Sequence, residues 1–289
     1  MKKFIIDVST YQKEIDWDKM KAQGVQGAIL RIGYTGWGSL KSEIDAYFEK
    51  NYQGASNASL PIGVYFYSVA ITEQEAIDEA RFTLELLKNR KLAYPVFFDT
   101  EESNRKPVSQ ASVGKEQLTK TIKAFCDYVL NNSNYKVGVY ASKSWFNSKL
   151  NYTDIGKYFI WVAQYNTECT FDQRYDIWQY SSIIKLNGVS GHDSMVDANF
   201  LYVDFQSTEN NESEKEETML LKCIKASTSK GYPYRDKAGG TILGYYKVGD
   251  TIKVTNAYSF KKVANVGSAD AWFIDDKGNH FAFDKDYFN

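Results

Sequence analysis

Through the first two hundred residues, short apolar runs bounded by turn residues recur eight times: Phe4 to Val8, Ala28 to Ile32, Ile62 to Tyr67, Tyr94 to Phe98, Val137 to Tyr140, Phe159 to Ala163, Ile177 to Tyr180 and Met195 to Asp197. Runs this short, rich in β-branched and aromatic residues, read as buried strands. Between the first five lie stretches with helical spacing: Trp17-Met20-Ala22 leading to Gly24, and the longer Glu73 to Lys91 and Lys115 to Asn132. Such gaps suit βα units. After Tyr140 the last three strands are joined by loops, with one short helical stretch near Ser142 to Lys149.

The expected fold class is therefore α/β: an irregular, TIM-like β/α barrel of eight strands, the last three poorly covered by helices. A doubly wound sheet is the rival, but no Gly-rich nucleotide loop follows the first strand. Residues 206–218, QSTENNESEKEET, contain almost nothing apolar and read as an acidic flexible linker. Domains are accordingly expected at 1–205 and 219–289. Beyond the linker, Leu220 to Ile224, Ile242 to Tyr246, Thr251 to Thr255, Trp272 to Ile274 and His280 to Phe283 are short strands with Gly-containing turns between them, the pattern of a small antiparallel barrel.

Charge and composition exclude several classes. A net charge of −1 argues against a nucleic-acid partner, because phosphate binding needs a basic surface. The tail is different, with 11 Lys/Arg against 7 Asp/Glu over 218–289, a balance suited to an anionic polymer. Cys126, Cys169 and Cys223 are widely spaced, suggesting neither a disulfide framework nor a metal cluster, and fit synthesis in a reducing compartment. Three apolar residues separate Lys3 from Asp7, too few for a signal-peptide core, and no segment is long enough to span a membrane.

The sharpest chemical feature is Pro95-Val96-Phe97-Phe98-Asp99-Thr100-Glu101, an apolar strand ending in acids at i and i+2. In extended chain both side chains share a face, and in a parallel barrel the C-terminal mouth is where active sites sit. Glycoside hydrolysis uses such a pair, one carboxyl kept protonated and another ionised. A solvated strand end or a helix N-cap explains the triad equally well on its own. Asp7 and Asp197 lie at two further strand ends, so four acids are expected to converge and perturb one another; a capping role for Asp7, next to Ser9 and Thr10, is the alternative. Tyr65, Tyr67, Tyr140, Trp161 and Gln164 also fall at strand ends and are candidates for a sugar groove, as core packing would equally require. Arg31 is placed to pair with a rim carboxylate. His192 and His280 fall in different domains, no Ser or Cys sits in a nucleophile setting, and no metal-ligand spacing occurs, so neither metal nor organic cofactor is expected.

Together, Phe4-Ile5-Ile6-Asp7-Val8-Ser9, the D-x-E of Pro95 to Glu101, Trp161-Val162-Ala163-Gln164-Tyr165, Ile177-Trp178-Gln179-Tyr180 and Val196-Asp197-Ala198-Asn199-Phe200 resemble glycoside hydrolase family 25, over roughly the first 205 residues. The resemblance implies cleavage of the β-1,4 bond between N-acetylmuramic acid and N-acetylglucosamine in the peptidoglycan of a Gram-positive wall. It implies Glu101 as general acid, Asp99 as the carboxylate beside it, and Asp7 and Asp197 as the remaining acids. A chitin-type substrate, and a barrel that binds wall without cutting it, are the alternatives. The tail is similar to bacterial SH3-like wall-binding domains through Gly231 to Asp236 and Ile242 to Val254, which implies wall contact by Tyr232, Tyr234 and Trp272, with Tyr258 and Phe273 as further candidates. Lacking a leader, such a chain is expected to be a phage endolysin made in the host cytoplasm and acting on the wall after release, rather than an autolysin. Lys215-Glu216-Glu217 can be encoded by a purine-rich ribosome-binding sequence just before Met219. A second start there would supply a free tail able to assemble with the full chain and raise avidity.

Overall fold

The computed structural model describes residues 2–88, 90–205, 219–223, 225, 227–235, 241–258, 271–275, 277 and 280–283. The expected linker, 206–218, lies outside the described residues. By compactness the chain divides into two units, Met1–Thr208 and Glu209–Asn289.

In the first unit the elements run β1 (Lys3–Val8), α1 (Trp17–Ala22), β2 (Ala28–Thr35), β3 (Ser42–Ile44), α2 (Phe48–Asn57), β4 (Ile62–Ser68), α3 (Glu73–Leu87), β5 (Val96–Thr100), α4 (Lys115–Asn132), β6 (Val137–Ser142), α5 (Lys143–Ser148), α6 (Tyr152–Ile155), β7 (Phe159–Ala163), β8 (Ile177–Lys185) and β9 (Met195–Leu201). The sheet order is β1-β9-β8-β7-β6-β5-β4-β2-β3, and pairing of β1 with β2 closes eight of these strands into a barrel. The short β3 hangs outside the ring, antiparallel to β2.

The period-2 alternation sorts side chains between two cores. Ile5, Ile29, Phe97, Trp161, Ile177 and Leu201 fill the barrel interior. The neighbouring positions, Ile6, Val8, Leu30, Val64, Phe98 and Val139 among them, pack outward with helix residues such as Met20, Ala80, Ile122 and Phe125. Interior space is tight where Phe97 crosses to β6: a Cβ added at Gly138 would lie 2.3 Å from the Phe97 ring. α3 starts with a capping box, Thr72 receiving the Glu75 amide and Glu75 reaching back to the Thr72 amide.

The eighth strand does not end at Asp197; it runs on to Leu201 and is antiparallel to both β1 and β8. Asp197 therefore lies near the start of its strand. Because the strand is reversed, its start is at the rim where the parallel strands end, directly opposite Asp7 in the register.

In the second unit β10 (Met219–Lys222), β11 (Tyr232–Arg235), β12 (Ile242–Tyr246), β13 (Thr251–Tyr258), β14 (Ala271–Asp275) and β15 (His280–Phe283) form an antiparallel sheet in the order β10-β13-β14-β15-β11-β12. Tyr246 packs between Tyr234 and Phe281, with ring centroids 4.9 and 5.3 Å away.

Candidate active site

Above the apolar floor of the barrel the inward positions become polar. The same alternation that turns Ile5 inward turns Asp7 inward, and Phe97 is followed two residues on by Asp99. Here a pocket of about 120 Å³ is lined by Asp7, Tyr65, Asp99, Glu101, Tyr140, Trp161, Tyr165, Gln179 and Asp197. Two amides grip the buried Asp7: Gln179 Nε2 at 2.9 Å and Asn199 Nδ2 at 2.8 Å, both donating to Oδ2. Each amide is oriented in turn by a ring. Tyr140 OH (2.8 Å) and Tyr165 OH (3.1 Å) donate to Gln179 Oε1, and Trp161 Nε1 donates to Asn199 Oδ1 at 2.8 Å. Asp7 thus keeps one fixed geometry. Asp99 is different: it is buried, and its Oδ1 has no hydrogen-bond partner among the described residues.

Four carboxyls in one pocket cannot all carry charge. Burial pushes Asp7 well above the usual carboxylate range and the Asp197 charge adds to it, against the two amide bonds that favour the ion. Burial also raises Asp99 strongly, with Glu101 and Asp7 as the next causes and Arg31 opposing them. Asp197 is half-buried and pushed up to about 6, by burial first and Glu101 second. Glu101 stands at the lip, where water reaches it, yet the surrounding wall still raises it, opposed by a hydrogen bond with Asp99. Burial thus shifts all four carboxyls of the pocket toward the protonated form.

A family model for glycosyl hydrolases family 25 matches residues 6–189. The chain belongs to glycosyl hydrolase family 25. Over 191 residues it is 25% identical to the autolytic lysozyme of Clostridium acetobutylicum, covering 64% of this chain and 52% of that protein. The modular autolysin LytC of Streptococcus pneumoniae has a similar structure, with a TM-score of 0.61 and 30% identity, covering 70% of this chain and 47% of that one. The chain thus spans about half the length of these two relatives. A family 25 glycosyl hydrolase of Bacillus anthracis shares the fold at 23% identity, with a TM-score of 0.58, covering 72% of this chain and 92% of that one.

Of the residues singled out from sequence, the family 25 barrel gathers Asp7, Asp99, Glu101, Asp197, Tyr65, Tyr140 and Trp161 around one pocket. Trp161 is the floor rather than a sugar platform: it is fully buried, edge-on to Phe97 at 5.2 Å and to Tyr140 at 4.6 Å. Tyr67 is half-buried further along β4, and its hydroxyl accepts from Trp37 Nε1 at 3.1 Å. Arg31 does not pair with a rim acid. Its Nε donates to Asp45 at 2.7 Å, and the guanidinium lies between the Tyr11 and Tyr34 rings. Gln164 faces its own loop, giving Nε2 to Thr170 Oγ1 and receiving the Thr170 amide. In the second unit Tyr232 is buried, which makes it packing rather than surface, while Tyr234 is half-buried. The side chains of Tyr258, Trp272 and Phe273 lie outside the described residues.

Tyr165 and Asp45 escaped the sequence reading. Tyr165 follows the β7 motif in a loop, where its hydroxyl has no periodic signal. Asp45 follows a three-residue strand, too short to register, and becomes a partner only when β3 folds back on β2.

Proposed function

We propose that this family 25 chain is an endolysin-type lysozyme that hydrolyses the β-1,4 bond between N-acetylmuramic acid and N-acetylglucosamine in the peptidoglycan of a Gram-positive wall. One observation carries the reading: the four carboxyls of Asp7, Asp99, Glu101 and Asp197 converge on one pocket, where burial raises the pKa of each. Glu101 is the general acid, because it holds a raised pKa at the lip, where a glycosidic oxygen can approach. As the leaving oxygen takes that proton, positive charge grows on the sugar, opposite Asp99 and Asp197. Attack by water at the anomeric carbon completes the hydrolysis, and the proton that water sheds restores the acid. The unpartnered Asp99 Oδ1 is an acceptor kept for a donor that the substrate brings. Tyr65 and Tyr67 on β4 and Arg31 on β2 extend the same rim and supply faces and donors for neighbouring sugars.

The β-sheet unit is the wall-targeting module in this reading, an SH3-like domain whose net positive charge favours an anionic wall polymer. The chain is made in a host cytoplasm and acts on the wall after release. A second translation start at Met219 supplies free tail units that assemble with it. A bacterial autolysin is the neighbouring alternative, favoured by the two autolysin relatives.

The deciding experiment is digestion of peptidoglycan by the intact protein and by Glu101→Gln, followed by mass spectrometry of borohydride-reduced fragments. Muramitol ends from the wild type and none from the variant are expected. Glucosaminitol ends would move the bond, an equally active variant would remove Glu101 from the acid role, and tight wall binding without release would make the barrel a binding module.

A further inference from the structure

Behind the acid cluster, on the outer face of the barrel, three hydroxyls stand in a row at the ends of adjacent strands: Thr35 on β2, Ser68 on β4 and Thr100 on β5, all buried. A carboxylate is buried on top of them. Glu79, from the middle of α3, accepts from Thr35 Oγ1 at 2.7 Å and from Ser68 Oγ at 2.5 Å. The row continues through the buried Gln110, whose Nε2 donates to Ala70 O (2.9 Å) and contacts Ser68 Oγ (3.5 Å), and whose Oε1 accepts from Thr100 Oγ1 at 3.0 Å. Thr100 is the residue between Asp99 and Glu101. Since successive strand residues face opposite ways, whatever holds Thr100 outward holds Asp99 inward.

An apolar residue would fill this space at lower cost, since an acid buried between helix and sheet pays for desolvation. We propose that Glu79 is a positioning residue of the hydrolysis: its carboxylate locks the ends of β2 and β4 and, through Ser68, Gln110 and Thr100, fixes the strand end that carries Asp99 and Glu101. The donor directions fit the ionised form. Ser68 Oγ already accepts from the Ala70 amide at 3.1 Å and faces the Gln110 amide, so its one proton is left for Glu79. The Val69 backbone amide also favours the ionised form of Glu79, beside the two hydroxyl donors. A protonated Glu79 must donate instead. The receiver that can turn is Thr35, which has Ser42 Oγ 3.5 Å away to pass its own proton to, and the belt then loosens from the β2 side.

The charged neighbours are few. Glu75, one turn earlier on α3, raises the Glu79 pKa, while Arg105 from the loop after β5 is committed to Glu75 and to the Val69 carbonyl. The strands beneath present the hydroxyls of Thr35 and Ser68. Burial is the main cause that brings Glu79 up to about 7, so the belt changes state within the working range of a hydrolase.

This inference rests on the hydrolase reading, and its test separates the two. Kinetics on peptidoglycan and carboxyl ¹³C NMR titration would be run on the intact wild type, Glu79→Gln, Thr100→Val and the double variant. Thr100→Val breaks the belt at the strand without touching the buried acid, so a folding defect in Glu79→Gln does not end the test. Both single variants are expected to lose kcat by roughly tenfold, with KM little changed, as a small misplacement of catalytic groups would cause. The losses should not multiply in the double variant. A kcat limb near pH 7 in the wild type should vanish in Glu79→Gln, and the Asp99 and Glu101 carbon signals should move in both variants. Unchanged Asp99 and Glu101 signals, with an unaltered pH profile, would overturn the proposal. A wild type that releases no fragments would defeat the hydrolase reading, and the carbon signals alone would then decide whether the belt positions Asp99 and Glu101.

Discussion

Replacing Asp197 by Asn should make the protein more stable at pH 8 while removing a carboxyl from its site. Asp197 is half-buried opposite Asp7, and its pKa is raised from 3.8 to about 6. The folded barrel therefore keeps the Asp197 proton to a higher pH than the unfolded chain does. Linkage then sets the sign: between about pH 4 and pH 6 the folded state binds more protons, so stability falls as pH rises through that window. About two pKa units correspond to roughly 3 kcal/mol of ionisation cost, borne in full above the folded pKa and absent below the unfolded one. Asn cannot ionise, so the variant escapes the cost. For a unit of this size, about 3 kcal/mol is a rise of roughly 6–12 °C in Tm. Urea unfolding of the intact protein at pH 4 and pH 8 would measure it, followed by tryptophan fluorescence, since Trp17, Trp37, Trp145, Trp161 and Trp178 all lie in the first unit. A gain at pH 8 that disappears at pH 4 is expected, the reverse of an ordinary loss of contacts. Equal effects at both pH values, or a variant weaker at pH 8, would refute the argument that burial and neighbouring charge dominate this carboxyl.

Arg31→Ala should destabilise the barrel by about 3–5 kcal/mol in urea unfolding, because it strands the fully buried Asp45 carboxylate, whose other donors are the Thr10 and Tyr47 amides. Gly138→Ala should cost about 1–3 kcal/mol, since its Cβ would sit 2.3 Å from the buried Phe97 ring; a drop in Tm with little change in the pH profile is the expected reading. For Glu101→Gln, fragment release should be lost while Tm holds or rises, because Gln matches Glu in size, opens no cavity and cannot ionise beside the other acids.

How far the site could be read in advance differs residue by residue. Asp99 and Glu101 were plain because the apolar run before them marks a strand, and period 2 then fixes their common face. Asp7 followed by the same logic. Asp197 was chosen for a strand end it does not occupy; its reversed strand brings it to the same rim from the other direction. Gln179 belongs to the Ile177-Trp178-Gln179-Tyr180 motif, but its grip on Asp7 lies 172 residues away in the chain, and the bond from Asn199 spans 192. No local pattern encodes such partners.

The chain's own periodicity determined the eight barrel strands, the placing of Asp7, Asp99 and Glu101 at the ends of theirs, and the division of apolar side chains between an inner and an outer core, because each of these depends on neighbours a few residues apart. Tertiary structure alone decided the direction of β9, the pairing of Arg31 with Asp45 and the belt that joins Glu79 to Thr100. It also decided which acids have raised pKa values. Those outcomes depend on closing the barrel, which removes water from carboxyls that the linear sequence leaves far apart and gives each of them partners that only the closed ring can bring.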